Sequence, residues 1–98
     1  MFTVVETPAF QSQASGIWTE YERLHFIGWL ADNPLAGDVI PGADGARKVR
    51  WAAQGKGKRG GARVIYFNVL QDGYIVLIAI YTKSTRASLP SQSILKAK

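Results

Sequence analysis

The sequence predicts an α+β fold: an antiparallel sheet with N-terminal helices packed on one face and a short helix at the C-terminus. Three observations predict it. A capping-box signature opens an amphipathic segment in the first third, three runs rich in β-branched and aromatic residues follow, and Asp72-Gly73 joins the last two of those runs. The order strand, helix, three strands puts helices on one side of a sheet and leaves the other side partly free for a ligand.

The first strand is expected at residues 2–5, a short β-branched run closed by Thr7-Pro8. Residues 11–14 suit one helical turn before Gly16. Thr19, with Glu22 three residues on, predicts the start of the main helix. Within it Tyr21, Leu24, Ile27 and Ala31 recur at helical spacing and define the expected apolar face. Asn33-Pro34 ends it, because the residue before a proline avoids helical geometry. Residues 34–46, PLAGDVIPGADGA, are punctuated too densely by glycine and proline for a regular element and predict a loop. Strands are expected at 48–53, 63–70 and 74–83, with a hairpin turn at Gln71-Asp72-Gly73. Between the first two lies GKGKRGG (55–61), a hairpin tip or broader loop with three cations and four glycines. In 86–98, Leu89, Ile94 and Leu95 stand among polar residues, and Pro90 suits the first turn of a short helix.

A chain of 98 residues fits one domain, 1–98, and its 47% hydrophobic content supports a buried core. Without cysteine, disulfide and thiolate chemistry are excluded, and one histidine cannot build a usual zinc site, so neither metal nor cofactor is expected. A net charge of +5 and a pI of about 9.8 favour an anionic partner. The N-terminus lacks a signal-peptide pattern, and the apolar run at 74–81 is too short to span a bilayer. A cytoplasmic protein without a membrane partner is the expectation.

The cations concentrate around the predicted hairpin tip. Alternation sends Lys48 and Arg50 to one side of their strand and Val49 and Trp51 to the other, so the two cations are expected to face outward. Arg63 opens the next strand, which lets Lys56, Lys58, Arg59 and Arg63 converge on one anion from exposed positions. Such charges also serve solubility. GKGKRGG is no phosphate-binding P-loop, since it lacks the Gly-Lys-Ser/Thr ending and joins two strands. His25 lies within the main helix and reads as a structural or surface histidine, and the carboxylates are scattered. What remains is chemistry that cations alone support. RNA cleavage qualifies because the 2′-hydroxyl is the nucleophile, a lysine with a lowered pKa serves as base, and an arginine holds phosphate oxygens.

Three stretches carry a family resemblance: Gly37-Asp38-Val39-Ile40-Pro41-Gly42, then Gly45-Ala46-Arg47-Lys48-Val49-Arg50-Trp51-Ala52, then Gly57-Lys58-Arg59-Gly60-Gly61-Ala62-Arg63-Val64-Ile65-Tyr66. Together with Tyr81-Thr82-Lys83 they resemble the RelE/ParE toxin superfamily, most closely its HigB-like branch. The resemblance implies a microbial-ribonuclease-like RelE fold and the toxin of a type II toxin–antitoxin pair. Such a toxin inhibits translation by cutting mRNA in the ribosomal A site, without a metal. It also implies a cognate antitoxin, often of helix-turn-helix type, through which the complex reaches operator DNA. By position, Lys56, Lys58, Arg63 and Lys83 match catalytic basic residues and Arg59 and Arg86 phosphate contacts; Lys48, Arg50 and Tyr81, from their strand positions, are the further expected contacts with RNA or ribosome. Tyr81 or Tyr66 offers an aromatic surface for a base. Several relatives place a tyrosine or histidine after the last strand, and residues 84–98 contain neither. Two alternatives therefore stand beside the ribonuclease: a ParE-like gyrase poison, and a catalytically degenerate partner of the antitoxin.

Overall fold

The computed structural model describes residues 2–52, 61–82 and 90–97. The elements run β1 (Thr3–Glu6), α1 (Pro8–Ser15), α2 (Glu20–Asp32), β2 (Asp38–Val39), β3 (Arg47–Trp51), β4 (Ala62–Val69), β5 (Tyr74–Thr82) and α3 (Ser91–Ala97). The α+β class, the N-terminal helices on one face and the C-terminal helix are as expected. The sheet order is β1-β5-β4-β3-β2.

The sheet is mixed, which corrects the expectation of a wholly antiparallel one: β2 to β5 pair antiparallel, but β1 lies parallel to β5. No hairpin fixes their relative direction, because most of the chain separates them. A second correction is β2. Its two residues pair with Lys48 and Arg47 inside the stretch expected to be all loop. Gly37 permits this, since its φ of 78° is poorly accessible to other residues and a Cβ there would meet the Lys48 carbonyl oxygen.

Helix α1 is longer than one turn. Thr7 caps it by accepting the Phe10 N–H at 3.2 Å, and Pro8 occupies the first turn, so Thr7-Pro8 opens a helix rather than merely closing a strand. Helix α2 carries the expected capping box, with Glu22 N–H donating to Thr19 Oγ1 at 3.2 Å and Thr19 N–H to Glu22 Oε1 at 2.9 Å. Its buried face matches the expected one only in part, at Ala31 and the half-buried Ile27. Phe26, Leu30 and Ala31 are buried, whereas Tyr21 is 79% and Leu24 54% exposed. Apolar residues occupy most of the helix circumference between 24 and 31, so spacing alone permits two stripes. The stripe that joins Phe26 to Trp18 and Trp51 buries the larger aromatic surface.

That stripe packs on one sheet face with Val49, Val64, Tyr66, Ile75, Leu77 and Ile80. The three tryptophans belong to this layer: Trp18 and Phe26 centroids are 5.1 Å apart, Trp29 and Trp51 4.7 Å. On the opposite face Ile65, Phe67, Ile78, Ala79 and Tyr81 pack with Ala43 and Ala46 of the 40–46 loop and Ile94 of α3. The middle of the face expected to stay free is therefore covered. A bulge serves both layers. Ile65 pairs with Ala79 and Tyr66 with Leu77, so Ile78 is an extra residue that joins the second cluster while Leu77 stays on the helix side. Beyond the end of β1, the Ile80 N–H finds the Gln13 side chain of α1 at 3.0 Å.

Asn33 closes α2 as expected. The turn before β5 is a short 3-10 segment, Leu70–Asp72, closed by Gly73 at a φ of 75°. Among the described residues no helix is long and apolar enough to cross a membrane.

Candidate functional site

Pairing places Trp51, Ala62 and Thr82 side by side, so β3 ends, β4 begins and β5 ends at one edge of the molecule. The segments 53–60 and 83–89 are therefore both attached to this end of the sheet. Lys56, Lys58 and Arg59 belong to the first and Lys83 and Arg86 to the second, and all five lie outside the described residues.

The four remaining candidates are brought together in part. Arg50 pairs with Arg63 and Arg63 with Tyr81, which makes one row across three strands on the face away from α1 and α2. In the next row of that face stand Lys48, Ile65 and Ala79. Lys48 is half-buried and Arg50 exposed. The outward direction inferred for these two cations from alternation thus holds for Arg50 and in part for Lys48.

Arg63 is not exposed, which corrects the expectation made for it. It retains 6% of its surface and donates from Nη1 to the Gly61 carbonyl at 3.3 Å. A strand at the centre of the sheet explains this, since β4 has neighbours on both sides and its six residues from Ala62 to Phe67 are all buried. Tyr81 is likewise buried, at 5%, so its ring offers no open surface for stacking a base. Tyr66 is excluded from this site by direction. It points to the helix side, fully buried, and its hydroxyl donates to the Ala36 and Pro34 carbonyls. Burial pushes its pKa up to about 12, with Arg47 opposing.

Arg47 is a basic residue to which the residue pattern assigned no role. It stands opposite Tyr66 and donates to the Leu35 and Gly37 carbonyls at 3.1 and 3.2 Å, tying down the loop that follows α2. His25 is exposed, edge-on to Trp51 with centroids 6.2 Å apart. On the helix side, a hollow of about 260 Å³ is lined by Gln11, Ala14, Ser15, Trp18, Glu20 and Arg23. Sequence spacing gave no sign of it. Its one arginine is held by Glu6 at 2.7 Å, so it offers no uncommitted cation to an anionic ligand.

Chemically, the sheet end presents one exposed arginine, a buried one beside it on the next strand, and the anchor points of two basic segments. Such an arrangement suits phosphate oxygens, which arginine holds in a planar fork. No protein-family model matches the chain.

Proposed function

We propose that the chain is a RelE-like toxin that cleaves mRNA on the ribosome without a metal. The observation that carries the reading is the row Arg50, Arg63, Tyr81 at the sheet end where segments 53–60 and 83–89 attach. Five of the twelve lysines and arginines lie in those two segments and two more stand in the row, so most of the basic residues belong to the row or to the segments that attach beside it. The order of elements and the motifs between 37 and 66 support the same family.

In this reading the cations act on a phosphodiester. A lysine, Lys56 or Lys58, takes the proton of the 2′-hydroxyl, the 2′-oxygen bonds to phosphorus, and the bond to the 5′-oxygen breaks as that oxygen gains a proton. Arg63 holds the charge that develops on the phosphate oxygens, and its burial strengthens each such contact because little water competes. Arg50 meets the RNA backbone first, at the surface. Lys83, in the segment that follows β5, supplies further positive charge, while Arg59 and Arg86 hold flanking phosphates. The antitoxin, of helix-turn-helix type, neutralises the protein and carries it to operator DNA.

The reading is tested by inducing the chain in bacteria and following methionine and thymidine incorporation in parallel. Methionine incorporation is expected to stop first, with mRNA shortened. DNA breaks with translation intact would overturn the reading in favour of the gyrase poison. Normal growth with folded protein present would favour the degenerate partner.

A further inference from the structure

Among the described residues the outer side of β1 is an edge of the sheet. Thr3 N–H donates to the Gly73 carbonyl at 2.8 Å and Thr7 N–H to the Leu77 carbonyl at 3.1 Å, so the odd-numbered residues turn their backbone toward β5. Alternation turns the N–H and C=O groups of Val4 and Glu6 the other way. At Phe2 the edge is closed, because its N–H reaches the Ala31 carbonyl of α2 at 3.0 Å. From Val4 to Glu6 no strand pairs with β1 on that side among the described residues, and such a row is a template for another strand.

We infer that β1 pairs antiparallel with β1 of a second copy of this chain, forming a two-fold dimer with one continuous sheet. Three features select that occupant. First, the register that sets Val4 opposite Glu6 of the second copy uses just the outward-facing backbone groups, and by symmetry it sets Val5 opposite Val5. Second, Val5 is 41% exposed and Tyr74, beside Thr3 on the same face, 45% exposed, with Val69 next to it, so an apolar strip reaches the seam and is continued by its own copy. Third, charge permits it. The edge carries Glu6, whose carboxylate is neutralised by Arg23 at 2.7 Å, and the cations of the basic site lie toward the far end of β5. Two chains of charge +5 thus meet at an edge whose one carboxylate is already paired and away from Arg50 and Arg63.

The dimer does not depend on RNA cleavage, and its test uses the full chain without RNA. Sedimentation is followed across roughly 1–500 μM, the range suited to a small interface. The chain is expected to pass from monomer to dimer. Val5→Lys and Val5→Glu, each at an exposed position, are each expected to remain monomeric at an unchanged melting temperature, and an equimolar mixture of the two is expected to restore the dimer. That restoration requires residue 5 to face itself. A monomer at every concentration, a dimer that survives Val5→Lys, or a mixture that stays monomeric would overturn the inference.

Discussion

Arg63 and Tyr81 are cross-strand partners on β4 and β5, and both are buried although each carries polar atoms. The consequence is that Arg63 has two tasks, holding the strand end through the Gly61 carbonyl and, in the proposed function, meeting phosphate. Arg50, its other cross-strand partner, is exposed, and in the proposed function it meets phosphate at the surface.

These roles separate on mutation. Arg63→Ala is expected to lower stability by about 1–3 kcal/mol, as loss of a buried charged donor does, and to abolish cleavage. Arg50→Ala is expected to leave stability within about 0.5 kcal/mol while lowering cleavage about tenfold, the worth of one charge-assisted contact. Urea unfolding and a cleavage rate for each variant check the pair.

Tyr66 makes stability depend on alkaline pH. Its pKa is 10.0 unfolded and about 12 folded, so between those values the folded state holds the proton that the unfolded state has lost. Stability from this group is complete below pH 10 and falls as pH rises toward about 12. In Tyr66→Phe that part of the alkaline slope is expected to vanish. The variant is also expected to lose about 1 kcal/mol or more at neutral pH, because the Ala36 and Pro34 carbonyls lose their donor. Urea midpoints from pH 8 to the alkaline limit measure both effects.

Two glycines predict opposite signs. A Cβ at Gly37 would stand 2.3 Å from the Lys48 carbonyl oxygen at a φ of 78°, so Gly37→Ala is expected to cost at least about 2 kcal/mol. Gly28, inside α2 on its exposed side, has nothing within 4 Å of a Cβ. Gly28→Ala is expected to stabilise by about 0.5–1 kcal/mol, through helix propensity. Thermal melts of the two variants decide.

The capping box gives a third stability test. Thr19→Ala removes the acceptor for Glu22 N–H and is expected to cost about 1 kcal/mol in a urea titration.

Where local chemistry decided a feature, the sequence was readable. Thr19 with Glu22, Asn33-Pro34 and Asp72-Gly73 mark ends and turns within a few residues, and each stands in the structure near where it was expected. Tertiary competition hid the rest. The stripe of α2 that turns inward is chosen by Trp18 and Trp51, from outside that helix. Parallel pairing of β1 depends on a strand about seventy residues away. The burial of Arg63 follows from the central position of β4, which alternation along one strand cannot reveal. Of the site, the cross-strand row was legible as separate residues but not as a row, because register is set by the pairing itself.

The most direct measurement is cleavage of a defined mRNA by the purified chain, free in solution and loaded on ribosomes, with the 5′ and 3′ ends mapped. Cuts within the A-site codon, only on ribosomes and reduced about tenfold by Arg50→Ala, are the result expected from a basic site at this sheet end. No cleavage in either setting, with the folded chain confirmed by its melt, would contradict the proposed function.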